Sequence, residues 1–198
     1  KFLPRNDQSI SNTILYFGSI IRKKGVLELA EIFNRVIAQD PEANLILAGK
    51  DVTDRQTGSS TRELMEAKFT PEAREKVTWL GTLPYDQIQA EIAKAHVVVL
   101  PSFAEALPMT WIEAMAMEKA LVTSDIGWAK EVMIDGETGF TVNPKDHDTY
   151  AEKILQLLKD PALAEKMGKA ARKRVLKKFS TEMVVERNIA FYEGVVCG

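Results

Sequence analysis

The run VVVL at 97–100 carries four apolar residues with no polar alternation, and it lies between two segments of helical periodicity. A strand with no polar face must be covered on both sides, which is what a parallel sheet layered between helices provides. Neighbouring segments repeat the pattern. TILYF at 13–17 stops at Gly18, and from Gly25 the residues Val26, Leu29, Ala30, Ile32, Phe33, Val36 and Ile37 recur at helical spacing until Asp40-Pro41. Further strands are expected at 45–48, 77–80, 120–123 and 140–142. Helices are expected at 85–95, 109–117, 148–159, 162–179 and 181–196, the last capped by Ser180. The stretch 51–61, polar with Gly58 inside it, reads as a surface loop, and 62–76 as one or two helices broken near Pro71. Alternation of this kind implies an α/β fold: an open, doubly wound, Rossmann-like parallel sheet with helices on both faces. Ligands of such sheets bind beyond the carboxyl ends of the strands, so the residues after Phe17, Leu80, Leu100 and Thr123 are the ones to read for function.

Composition narrows the classes. With 198 residues, 45% of them hydrophobic and 27% charged, the chain has the makeup of one ordinary globular domain. No apolar run approaches the roughly 20 residues of a membrane span. A formal net charge of −2 lacks the basic footprint of a nucleic-acid binder, and no nucleic acid is expected as a partner. The single cysteine, Cys197, allows neither an intramolecular disulfide nor a multi-cysteine metal site, which points to a reducing, cytoplasmic setting. Lys1 opens the sequence with no leader pattern behind it, so part of a longer chain is expected.

Two segments carry candidate chemistry. After Leu100 the sequence PSFAEALPMTWIEAMAMEKALVTSD places Glu105 in a loop and Glu113 inside the following helix. Pro108 suits the first helical turn, which leaves the N–H groups of Met109 and Thr110 free to face an anion such as phosphate. Glu113 sits among Trp111, Ile112, Ala114, Met115 and Ala116, where a buried, unpaired carboxylate is costly. Either it faces solvent on an amphipathic helix or it holds donors, and accepting the two hydroxyls of a ribose is one such use. After the first strand, FGSIIRKKG gives Gly18 for a tight turn and then Arg22, Lys23 and Lys24, a cluster that would clamp a diphosphate or form a solvated basic turn.

Taken together, FGSIIRKKG at 17–25, WLGTLPYDQI at 79–88, VVVLPSFAEALPMTWIEAMA at 97–116, SDIGWAKEVMIDGETGF at 124–140 and the closing FSTEMVVERNIAFYEGVV carry a resemblance. The chain resembles, over roughly residues 13–194, the C-terminal, nucleotide-sugar-binding domain of a family 4 retaining glycosyltransferase of the GT-B fold. The resemblance implies that 1–198 is one donor-binding domain, with 1–12 a linker from a missing N-terminal domain and 180–198 a terminal helix packing toward that domain. It implies that Lys24 contacts the donor diphosphate beside Gly18, that Glu113 takes the ribose hydroxyls and that Glu105 contacts the transferred hexose. Backbone amides from Leu107 through Pro108 and Met109 to Thr110 would serve sugar and phosphate, and the backbone near Leu83 the base. Ser19 stands where the family usually has Arg, which removes one of two diphosphate cations and leaves Arg22 as the nearby substitute. Ala106 and Pro108 stand where Gly is frequent, and Trp128 follows Gly127 where a second Gly is common.

The implied activity is hexosyl transfer from a UDP-, GDP- or ADP-sugar to an acceptor held by the missing domain. No further cofactor and no metal are expected. The competing reading is a non-catalytic Rossmann-like module with a vestigial nucleotide-sugar pocket, motivated by Ser19, Ala106 and Trp128; an epimerase or phosphorylase of related fold fits the two glutamates less well. His96 and His147 read as structural or exposed, and Met109, Met115, Met117 and Met133 as core filler. The basic run KMGKAARKRVLKK at 166–178 reads as a solvated helix face, with contact to an anionic lipid surface at the inner face of a membrane as its alternative.

Overall fold

The computed structural model describes residues 2–4, 10–127 and 129–196. Cys197 and Trp128, both singled out from the sequence, lie outside the described residues. Six strands form one parallel sheet: β1 (Thr13–Phe17), β2 (Asn44–Ala48), β3 (Val77–Gly81), β4 (Val97–Leu100), β5 (Ala120–Ser124) and β6 (Phe140–Val142), in the order β3-β2-β1-β4-β5-β6. Every residue of β1, β4 and β5 is buried, as strands covered on both faces must be. The edge strand β3 is only half covered.

Nine helices connect and follow these strands among the described residues. On one face α1 (Val26–Gln39) packs against α2 (Thr61–Glu66), α3 (Pro71–Glu75) and α7 (His147–Lys159). Its stripe of Val26, Leu29, Ala30, Ile32, Phe33, Val36 and Ile37 is buried, so the helical spacing in the sequence and the covered face coincide. Helix α4 (Tyr85–Lys94) precedes β4, and on the other face α5 (Met109–Ala116) packs against α8 (Pro161–Phe179). Helix α6 (Ala129–Val132) is a single turn. Helix α9 (Thr181–Val196), whose first turn is capped by Ser180 Oγ accepting from the Met183 N–H at 3.3 Å, rests on α8 and leaves Val184, Ile189, Phe191 and Tyr192 exposed. No helix among the described residues is long and apolar enough to cross a membrane.

Two sequence expectations need correction, and one element was not expected. The stretch 51–61 is more than a surface loop: Ile20 bridges Asp51, Thr53 bridges Ser60, and Asp54 is buried. Most of it is exposed, as a surface loop is, but its side chains also bond one another and anchor it through Asp54. Met109 is 54% exposed, because it opens α5 at the sheet edge, whereas Met115, Met117 and Met133 fill the core as expected. The short α6 has no apolar periodicity long enough to announce it.

Strand order reverses between β1 and β4, so the chain leaves their carboxyl ends in opposite directions and a crevice opens between them. Two glycines let the backbone close in there. Gly25, at φ +70°, ends a 3₁₀ turn at Arg22–Lys24, and a β-carbon on it would lie 1.8 Å from the carbonyl oxygen of Pro101. A β-carbon on Gly49, just past β2, would lie 1.7 Å from the carbonyl oxygen of Gly18.

Gly25→Ala therefore combines a left-handed backbone with a collision against main chain, and we expect it to lose about 2 to 4 kcal/mol of stability in urea denaturation. Gly58→Ala is the control: at φ +76° with nothing within 4 Å, it should lose only the roughly 1 to 2 kcal/mol of the left-handed conformation.

Candidate functional site

The turn after β1 is held from both sides. Gly18 N–H donates to Ala48 O at 2.9 Å and Ile20 N–H to Lys50 O at 2.8 Å, which prolongs the pairing with the β2 side beyond the strands. On the other side Phe103 N–H donates to Lys23 O at 2.9 Å, fastening the β4–α5 loop to the 3₁₀ turn. Lys24 then reaches across the crevice, where its ammonium pairs with Glu105 Oε1. Ser102, itself 4% exposed, donates from Oγ to the same oxygen at 2.7 Å. Glu105 lines a cavity of about 460 Å³ together with Lys23, Phe103, Ala104, Ala106, Ile126 and Gly127.

The entry to α5 differs in one respect from the expectation. Pro108, at φ −77° and ψ 84°, makes an inverse γ-turn that directs the Met109 N–H back to Leu107 O at 2.9 Å. The Met109 amide is thus engaged, while the Thr110 N–H has no acceptor among the described residues. Thr110 sits over the β1 turn: its methyl lies 4.0 Å from where a β-carbon on Gly18 would be. Leu107 is half exposed at the rim.

Further along α5, Glu113 is partly buried and accepts a hydrogen bond from the Tyr85 hydroxyl at 2.7 Å. Burial pushes the Glu113 carboxyl up from its ordinary range, and the Tyr85 bond opposes that shift. The Tyr85 hydroxyl is itself pushed up to about 12, chiefly by desolvation and then by the Glu113 carboxylate. Tyr85 opens α4 two residues after the partly buried Leu83, which brings the β3–α4 connection to Glu113. Phe2 packs edge-on against the Tyr85 ring with centroids 5.1 Å apart.

Arg22 is drawn elsewhere. Its guanidinium forks onto Asp54, Nε to Oδ1 at 2.8 Å and Nη2 to Oδ2 at 2.9 Å, and Asp54 also accepts from Thr57 Oγ1 at 2.9 Å and Thr57 N at 3.1 Å. Arg22 is therefore committed to the 51–61 segment rather than standing free beside Lys24. Ser19 is exposed, and its carbonyl accepts from the buried Tyr16 hydroxyl at 2.8 Å. Lys24, Glu105 and Ser102 thus meet at the crevice, Thr110 lies over Gly18 at the turn after β1, and Glu113 lies three residues further along α5, bonded to Tyr85. Sequence reasoning missed Ser102, Tyr85, Asp54 and Tyr16. Ser102 and Tyr16 have partners only three residues away, whereas the pairs of Tyr85 and Asp54 span 28 and 32 residues.

Residues 5–174 match the family described as glycosyl transferases group 1. The chain belongs to that family. Alpha-maltose-1-phosphate synthase of Mycolicibacterium smegmatis is 33% identical over 193 residues, covering 92% of this chain and 48% of the relative. Sucrose-phosphate synthase from Thermosynechococcus elongatus superposes with a TM-score of 0.80 at 27% identity, over 99% of this chain and 50% of that one. Anabaena HepE superposes with a TM-score of 0.75 at 23% identity, over 94% and 48%. The chain spans about half the length of the curated relatives it matches. Its sheet and two helical layers are those of the Rossmann-like C-terminal half of the GT-B fold.

The Asp54 clamp has a pH signature. The Arg22 fork, then the Thr57 hydroxyl, hold the Asp54 carboxyl well below the usual carboxylate range. A depressed folded value gives stability that is full above the unfolded value of about 4 and is lost as pH falls toward the folded one. Thermal melts between about pH 2 and pH 6 should show a shallower acid-side decline for Asp54→Asn than for the parent. Equal slopes would mean that the pair adds nothing.

Proposed function

We propose that this chain is the donor-binding half of a retaining, family 4 glycosyltransferase, which takes a hexosyl group from a nucleoside-diphosphate sugar and passes it to an acceptor held by an N-terminal half outside this sequence. The observation that carries the reading is the meeting of Lys24 and Glu105 at the β1/β4 reversal, with Glu113 on the helix that starts there. A cation and an unpartnered helix amide suit a diphosphate, a loop carboxylate on a cavity suits sugar hydroxyls, and a partly buried carboxylate further along suits a ribose. Anabaena HepE, whose crystal structure is a complex with UDP and glucose, supports the ligand class.

In this reading Lys24 and the Thr110 amide meet the negative charge that builds on the leaving diphosphate as the bond from the anomeric carbon breaks. Glu105 holds the hexose while the acceptor hydroxyl approaches from the side the diphosphate leaves, which preserves the anomeric configuration. Counter-charge comes from protein groups, and no divalent metal has a part. Arg22 supports the turn rather than the ligand. The exposed face of α9, with Val184, Ile189, Phe191 and Tyr192, is where the N-terminal half packs, and the location is cytoplasmic.

A thermal-shift titration with UDP, GDP and ADP, each free and as its hexose conjugate, tests the reading. At about one hundred times the dissociation constant, binding should raise the melting temperature by about 5 to 11 °C for one nucleotide series. Glu113→Gln should weaken that nucleotide by about 1 to 3 kcal/mol, the scale of a hydrogen bond to a charged acceptor. No shift with any nucleotide, or no loss in Glu113→Gln, would favour a vestigial pocket instead.

A further inference from the structure

Glu105 is addressed on one side only. Lys24 Nζ and Ser102 Oγ both donate to Oε1, and among the described residues none donates to Oε2. The carboxylate lines the cavity of about 460 Å³, so the oxygen without a protein partner is the one available to a ligand there. The two donors on Oε1 differ in kind. Lys24 ends a long, flexible side chain whose charge any bound diphosphate would attract, whereas Ser102 is 4% exposed, directly follows Pro101, and reaches Glu105 within three residues of the same loop. The carbonyl of Pro101 is itself pinned beneath Gly25.

We infer that Ser102 is the positioning residue of Glu105: its hydroxyl holds Oε1 in place when Lys24 turns to the diphosphate, and so presents Oε2 to the hydroxyl groups of the transferred sugar. This inference rests on the donor-site reading and adds to it a division of labour. Lys24 serves the nucleotide part of the ligand, and Ser102, acting through Glu105, serves the sugar part alone. A carboxylate that loses its cation in a partly dry crevice needs a remaining donor to keep one rotamer, and among the described residues Ser102 is the donor that remains.

The experiment compares each nucleoside diphosphate with its conjugate on the parent chain, Ser102→Ala and Ser102→Thr. Calorimetric titrations with UDP and UDP-glucose, ADP and ADP-glucose, and GDP and GDP-mannose give the gain in affinity that the sugar brings for the pair that binds. We expect Ser102→Ala to leave the free diphosphate within about twofold and to weaken the conjugate roughly three- to tenfold, and Ser102→Thr, which keeps the hydroxyl, to restore it. A merely structural role would weaken diphosphate and conjugate alike, and a serine without a role would weaken neither; both results overturn the inference while the donor site stands. A parent chain that gains nothing from the sugar overturns it as well. If no nucleotide binds, the donor-site reading falls and takes the Ser102 role with it.

Discussion

The site depends on main chain lying against main chain. At the reversal of strand order, the carbonyl oxygens of Pro101 and Gly18 occupy the space where side chains would begin at Gly25 and Gly49. The β1–α1 turn is thereby wedged between the loops that follow β2 and β4, at distances no other residue type permits without moving backbone. Interior packing leaves only tenths of an ångström of slack for such contacts. That rigidity lets Lys24 and Glu105, 81 residues apart in sequence, meet across the crevice instead of searching for one another.

Consecutive cations in that turn are sent in different directions. The Arg22 fork goes to Asp54 and anchors the 51–61 segment, Lys23 gives its carbonyl to Phe103 and lines the cavity, and Lys24 crosses to Glu105. Three like charges in one turn would repel if left side by side; two of them have acidic partners on separate loops, so the charge that disfavours the turn also ties it to its neighbours. Two carboxylates end with opposite character. Asp54, wrapped by four donor contacts, is held low, while Glu113, partly buried with one phenol for company, is pushed up. The first belongs to architecture, and the second accepts one hydrogen bond among the described residues.

Most of this fold could be read from the chain because its central strands have no polar face and its helices have one. VVVL admits no half-exposed strand, and the stripe from Val26 to Ile37 admits no other burial than the one found. The sites where reading failed share a different physics. The stretch 51–61 is polar in composition, yet Asp54 is buried because Arg22, far off in sequence, satisfies it. Spacing alone left Glu113 between solvent and donors; Tyr85 decides the matter, and nothing near Glu113 names Tyr85. Met109 looked like core because methionine usually is, but its position at the mouth of α5 outweighs its side chain. Apolar periodicity reports what a segment does alone, whereas polar satisfaction is settled between segments.

The ion pair at the crevice carries a selective consequence for the donor-site reading. With no ligand, Lys24 and Glu105 neutralise each other in a setting where each is mostly covered, so neither charge is left bare. A diphosphate alone gains Lys24 but strips the carboxylate of its cation; a sugar alone offers hydroxyl donors to Glu105 but nothing anionic to Lys24. Only a ligand that brings both, an anion and, one bond away, a ring of hydroxyl donors, replaces each partner of the pair at once. Recognition of the intact conjugate then follows from the pairing of the free site rather than from the number of contacts made in the bound one.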